Sequence, residues 1–200
     1  RFRAGNRRPV WIAASTHEGE ELAVVNAHAT VLRRFPDALL IVAPRHPERF
    51  RPMFQLCESF GFRTRSRSKD ANADLDTQCF VADSLGELLR FYAASDVAFV
   101  AGSLVAIGGP NVLEPALLGK PVIVGPHTFN FAEITDLLIA RGAAVRIASG
   151  EMLGEAVCTL LGSEEDMHRM GTAATEVIAH ERGALVRTLI IIERLSKASA

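Results

Sequence analysis

Apolar residues occur along this chain in short unbroken runs, separated by stretches with helical spacing. Val10-Trp11-Ile12-Ala13-Ala14 is the first run, and it passes into the polar turn Ser15-Thr16-His17-Glu18-Gly19. Leu22, Val25, Ala29 and Leu32 then fall on one helical face, and Pro36 stops that helix. Ala38–Ala43 is a wholly apolar strand ending at Pro44-Arg45-His46-Pro47. Phe50, Met53, Phe54, Leu56 and Cys57 mark a second helix, ended by Gly61. A weak alternation over Phe62–Ser66 predicts a short strand, and the polar stretch 67–76 predicts a long loop. Cys79–Ala82 is strand-like. Ser84 is expected to cap a helix carrying Leu85, Leu88, Leu89 and Tyr92. Further strands are predicted at Asp96–Ala101, Pro121–Val124 and Ala143–Ile147. Helices are predicted over Val112–Leu118 and Phe131–Ala140, and after Ile147 to about Leu195.

Strands that are apolar throughout, each followed by a helix, require a parallel sheet covered on both faces. The fold class is therefore α/β, a Rossmann-like doubly wound sheet. Ligands of such sheets sit beyond the carboxyl ends of the strands. This selects the loops after Ala14, Ala43, Ala82, Ala101 and Val124 as candidates.

Composition narrows the classes without changing this picture. Two hundred residues with 48% hydrophobic and 22% charged content fit one large domain able to bury a core unaided. Net charge is −1, so no global basicity points to nucleic acid. Cys57, Cys79 and Cys158 are far apart and form no CxxC pair, which predicts reduced, buried thiols. No segment is long and apolar enough to span a membrane. The start carries four arginines in eight residues with no apolar run suited to a signal peptide. Residues 1–8 are read as a linker entering a domain over 9–195, followed by a tail at 196–200.

The loop after Ala101 is the richest in chemistry. Gly102, Ser103, Gly108 and Gly109 let the backbone approach a ligand, and Pro110 suits a first helical turn. Free N–H groups at the helix start would hold one phosphate. Asn111 is polar, and Glu114 one turn on is placed to accept from sugar hydroxyls. An ordinary glycine-rich turn fits the same residues. Arg45, at the end of a buried strand on the same edge, suits a bidentate phosphate contact. Arg49, Arg51, Arg63, Arg65, Arg67 and Lys69 read as a solvated basic face, with a docking surface for acidic lipid headgroups as the other option.

The first loop lacks both GxGxxG and Walker A, so NAD binding and ATP hydrolysis are disfavoured. Ser15 or Thr16 is read as a helix cap, and His17 as a hydrogen-bonding residue at a cleft. No paired-His spacing makes a metal ligand of it. Asp74-Leu75-Asp76 matches DxD in form but precedes a strand instead of following one, so no metal is assigned. Gly125-Pro126-His127-Thr128-Phe129-Asn130 presents polar side chains above the sheet edge.

Three blocks together carry a more specific signal: ASTHEGEE (14–21), PRHPERF (44–50) and the long run from Gly86 to Ile134 containing GSLVAIGGPNVLEP and GPHTFNF. Over most of residues 9–195 they resemble the carboxyl-terminal half of 3-deoxy-D-manno-octulosonic acid (Kdo) transferases. These are GT-B glycosyltransferases that move Kdo from CMP-Kdo to a lipid A precursor in lipopolysaccharide biosynthesis.

The resemblance implies a donor-binding domain. Pro44, Arg45, Gly86, Glu87, Leu88, Asn111, Val112, Leu113 and Glu114 would surround CMP. Ser103, Gly108 and Gly109 would shape the phosphate loop, with His127 and Asn130 nearer the sugar. It implies no metal or other cofactor. Arg45 would stabilise the leaving group, and the general base would lie in an amino-terminal acceptor domain outside this chain. The full protein is expected on the cytoplasmic face of the bacterial inner membrane, with Leu185, Leu189, Ile192 and Leu195 as contacts for the first domain. One departure is Pro110, where the family usually has His or Gln; it removes a side-chain donor and a backbone N–H. The residues alone also fit a UDP-sugar transferase or epimerase of the same fold, or a nucleotide-binding domain with no catalytic role.

Overall fold

The computed structural model describes residues 8–70 and 72–198, with side chains as far as Glu181. Seven strands lie among them: β1 (Val10–Thr16), β2 (Leu39–Pro44), β3 (Thr64–Ser66), β4 (Cys79–Val81), β5 (Val97–Val100), β6 (Val122–Val124) and β7 (Ala144–Arg146). They form one sheet in the order β3-β4-β2-β1-β5-β6-β7, and each neighbouring pair is parallel. The helices are α1 (Glu21–Arg34), α2 (Phe50–Ser59), α3 (Leu88–Ala94), α4 (Leu113–Leu117), α5 (Ala132–Ala140), α6 (Leu153–Leu161) and α7 (Glu164–Ala198).

The pleat explains why the strands are apolar throughout. Trp11 and Ala13 of β1 pack into a core with Val24, Val25 and Val31 of α1, Met53 of α2 and Val157 of α6. Val10, Ile12 and Ala14 of the same strand point the other way, into a core with Phe91 and Tyr92 of α3. A third core joins Val122 and Val124 of β6 to Leu138 of α5 and to Ala174 and Val177 of α7. A buried Leu or Ile is worth about 1.5–3 kcal/mol each, so two covered faces stabilise this sheet without covalent help. The three cysteines are free and buried.

Three details differ from the pattern read in the sequence. The buried stripe of α1 is Glu21, Val24, Val25, Ala27, His28 and Val31, and Leu22 is exposed. The phase is shifted because two polar residues find buried partners: Glu21 pairs with Arg49, and His28 bonds Trp11 and the Gln78 carbonyl. The helix expected from Ser84 begins only at Leu88. Gly86 has φ +80°, incompatible with a continuing helix, and the Ser84 hydroxyl turns to Glu87 at 2.7 Å. Arg49, Arg65 and Arg67 are not merely solvated: they pair with Glu18 and Glu21, with Asp70 and Asp74, and with Glu87.

Arg8 fixes the amino end of β1. Its buried guanidinium donates to the carbonyls of Asp74 at 2.9 Å, Leu75 at 3.2 Å and Thr77. Residues 1–7 and 199–200 lie outside the described residues, as do the side chains of Leu185, Leu189, Ile192 and Leu195.

Candidate functional site: a cavity at the β1, β2 and β5 loops

In sheet order β1 stands between β2 and β5, so the chain's progression reverses there and leaves a crevice above the carboxyl ends. The register of β1 against β2 slips between Ala14 and Thr16, and Ser15 takes φ +59°. A bulge of this kind re-aims a side chain beside a site. Here Ser15 lines the cavity instead of capping a helix. Thr16 stays in the strand with its buried hydroxyl unpartnered, so neither residue is the predicted cap.

The loop between β5 and α4 is stitched to the one after β6. Ser103 is fully buried; its hydroxyl donates to the Val100 carbonyl at 2.6 Å and accepts the Gly125 N–H at 2.8 Å. The N–H of His127 donates to the Ser103 carbonyl, and that of Asn130 to the Gly108 carbonyl. The Asn130 side-chain amide donates to the Ile107 carbonyl at 3.1 Å. Gly108 has φ +101°, and a Cβ there would lie 2.4 Å from the Phe129 ring. Only glycine fits.

Across the sheet order the first loop is held by Glu20. Its buried carboxylate accepts the N–H groups of His17 at 2.9 Å, Leu104 at 3.3 Å and Gly102. Burial pushes this carboxyl above its ordinary range, although all three donors pull the other way. Nothing in the residue spacing singled Glu20 out; its donors lie mostly more than eighty positions away.

The main cavity has a volume of about 560 Å³. Ser15 lines it from the end of β1, and His17, Arg45 and His46 from the loops after β1 and β2; Gly109, Pro110, Asn111 and Glu114 line it from the loop after β5 and from α4. Leu88, Tyr92, Ile107 and Phe131 supply apolar surface. A smaller cavity of about 100 Å³ adjoins it, sharing Ser15, Arg45 and Leu88 and adding Pro44, Ser84 and Gly86.

The predicted residues thus divide. Arg45, Leu88, Gly109, Asn111, Glu114 and Asn130 come together on the main cavity, and Pro44 and Gly86 on the smaller one. Ser103, Gly108, Val112, Leu113 and His127 do not line either; Ser103 and Gly108 shape the loop, and Val112 belongs to the core. Glu87 faces away, held by Arg67 at 3.0 Å, Ser84 and Arg90. Hydrogen bonds from Arg67 and Ser84 bring its carboxyl down to about 2.

The predicted cluster of free N–H groups is partly spent inside the loop. The Gly109 N–H donates to the Gly102 carbonyl at 2.9 Å, that of Leu113 to Asn111 Oδ1 at 3.0 Å, and Pro110 has none. Because α4 has only five residues, little dipole stands behind it. Arg45 adds a full positive charge to the cavity; its backbone N–H donates to the Thr16 carbonyl while its guanidinium stays exposed. The rings of His17 and His46 meet edge to face at 5.4 Å. Burial, then the neighbouring His46 and Arg45, holds the His17 imidazole below its ordinary range.

Tyr92, Ile107 and Phe131 line the cavity although no motif marks them as site residues. Leu88 and Tyr92 are four apart on α3 and so share a face, a signal that was available. Among the described residues no group of three or more His, Cys, Asp or Glu is arranged to hold a metal ion.

No protein-family model matches the chain. It is 43% identical over 187 residues to the 3-deoxy-D-manno-octulosonic acid transferase of Haemophilus influenzae, covering 93% of this chain and 44% of that protein. It is 36% identical over 192 residues to the Bordetella pertussis enzyme of the same name, again 93% of this chain and 44% of the relative. The chain therefore spans less than half the length of these curated relatives. Among solved structures, the C-terminal CMP-Kdo binding domain of WaaA from Acinetobacter baumannii is similar at 37% identity and a TM-score of 0.82, over 86% of this chain and 90% of that one. The C-terminal domain of the group 1 glycosyl transferase LpcC from Francisella tularensis shares the fold at 15% identity and a TM-score of 0.61, over 90% and 95%. With its Rossmann-like sheet matching the carboxyl-terminal half of a GT-B enzyme, this chain belongs to the 3-deoxy-D-manno-octulosonic acid transferase family.

Proposed function

We infer that this domain holds the donor CMP-Kdo, and that the whole protein transfers Kdo to a lipid A precursor. The observation that carries this is the lining of the 560 Å³ cavity: one exposed guanidinium, a half-buried carboxylate and apolar faces converge at the switch point of the sheet. A nucleoside monophosphate ester of a sugar acid needs that set. Arg45 and the Asn111 amide suit the phosphate. Glu114, an acceptor without donors, suits sugar hydroxyls. Leu88, Tyr92, Ile107 and Phe131 suit the faces of a base and a sugar.

In the transfer step an acceptor hydroxyl oxygen forms a bond to the anomeric carbon of Kdo from the side opposite the phosphate. The bond from that carbon to the phosphate oxygen breaks, and its electron pair leaves with CMP. The configuration inverts. The departing phosphate gains about one negative charge, so a cation beside it binds the transition state more strongly than the intact donor. Arg45 fills this role. The acceptor's proton passes to a general base supplied from outside these 200 residues, and the chain alone binds the nucleotide without transferring sugar. The whole protein works at the cytoplasmic face of the inner membrane. Among the described residues no helix is long and apolar enough to cross a membrane.

The test is a titration of the isotopically labelled chain with CMP, UMP and UDP, read by amide NMR shifts. Shifts for CMP at Arg45, Leu88 and Gly109–Glu114 support the reading. A preference for UDP at the same loops overturns it in favour of a different donor.

A further inference from the structure

Glu20 lines neither cavity, yet it joins the two loops that do most to form the larger one. It is 1% exposed and has no ion pair among the described residues. One oxygen, Oε1, accepts the N–H groups of His17 and Gly102; the other, Oε2, accepts that of Leu104. Three donors from two segments converge on it. A carboxylate meets three donors because it offers acceptor sites on both oxygens and no hydrogen of its own. A glutamine of the same shape would set its NH₂ against one of the three N–H groups.

The consequence reaches the cavity through Gly102. From the point where a Cβ would stand on that residue, the His17 ring is 3.1 Å away and the Pro110 Cδ 3.3 Å. His17 and Pro110 both line the cavity. Holding the Gly102 amide against Glu20 therefore sets how closely the wall after β1 approaches the wall after β5. The same carboxylate orders the backbone at His17, and so the ring that packs edge to face with His46.

We propose that Glu20 is a positioning residue for the donor: its carboxylate does not touch the ligand but pins the loops after β1 and β5 at the separation the nucleotide requires. The role rests on the donor-site reading given above, and the experiment separates the two. CMP affinity is measured by titration calorimetry on the unaltered chain and on Glu20→Gln, with Glu20→Ala as the harsher variant. Amide exchange is followed in parallel at His17, Gly102 and Leu104, and at Ile12 and Val42 in the sheet. The expected result is CMP affinity at least about tenfold weaker in Glu20→Gln and weaker still in Glu20→Ala, with exchange faster at Gly102 and Leu104 and unchanged at Ile12 and Val42.

Wild-type affinity in Glu20→Gln overturns the positioning role while leaving the donor site standing. A loss of affinity accompanied by faster exchange at Ile12 and Val42 also overturns it, because the variant has then loosened the whole sheet. Should neither variant fold, the unaltered chain decides: slow exchange at both Gly102 and Leu104 supports the clamp, and fast exchange at either removes it. No binding of CMP by the unaltered chain defeats the donor reading and the role of Glu20 together.

Discussion

Trp11 Nε1–H donates to His28 Nδ1 at 3.1 Å inside the sheet–helix core. That bond settles the imidazole's tautomer: the proton must sit on Nε2, which donates to the Gln78 carbonyl at 2.8 Å. Protonating Nδ1 would bring two N–H groups face to face in a site with no exposure. Burial accordingly lowers the His28 pKa to about 3.

Stability should follow from this. The unfolded chain takes up a proton on His28 near pH 6.5, and the folded one only near 3, so the unfolded state binds more protons between those values. The His28 contribution to stability is complete above about pH 6.5 and falls as the pH drops toward 3, by about 1.4 kcal/mol per unit at most. Urea unfolding at intervals from pH 7 to pH 4 reads the slope. His28→Leu should flatten it while costing about 2–4 kcal/mol at pH 7, since the Trp11 N–H and the Gln78 carbonyl lose their partner.

Removing the exposed cation tests the site. Arg45→Ala should leave the urea midpoint unchanged and weaken CMP binding by about tenfold or more. In the full-length enzyme, turnover should fall by at least about tenfold. Unchanged turnover would exclude Arg45 from stabilising the leaving group.

Gly108→Ala probes the loop. The added methyl would overlap the Phe129 ring at 2.4 Å and Asn130 Nδ2 at 2.6 Å, in a backbone conformation that side chains disfavour. Strain of about 1–3 kcal/mol is expected, with amide shifts confined to residues 102–111 and 125–131 and weaker CMP binding. Shifts spread over β2 and α2 would mean that the loop is not the unit described.

The thiols should be silent in the folded state. Cys79 donates to Cys57 with the sulfurs 3.0 Å apart, and both are fully buried. Burial, and the thiol beside it, push the Cys79 thiol well above its ordinary range. An aromatic disulfide reagent should label the native chain at least about a hundredfold more slowly than the urea-unfolded one. Rapid labelling of two thiols would show that α2 opens readily from β4.

The sheet was legible because its strands are buried on both faces, so that ALLIVA and DVAFVA carry no polar interruption inside. The rule that ligands sit beyond the carboxyl ends of parallel strands selected the loops containing Arg45, Asn111 and Glu114 among five, whereas the strand order that puts the switch point at β1 came only with the structure. What the sequence concealed was non-local. The face of α1 turned on partners for Glu21 and His28 that lie 28 and 50 positions away. The supply of free N–H groups at 109–113 was overstated because closure of that loop on Gly102 consumes one of them. Glu20 sat within a quoted motif, but its task became visible only once Gly102 and Leu104 were folded against it.

The Arg8 anchor gives the domain a mechanical character. The guanidinium is fastened at the amino end of β1, and the cavity opens at the other end of that strand. Seven residues of strand separate them, which at about 3.3 Å each is a distance of roughly 23 Å. Because the carbonyls that hold Arg8 belong to the segment just ahead of β4, the guanidinium ties the amino ends of β1 and β4 together across the intervening β2, a brace at the foot of the sheet on the side remote from the cavity.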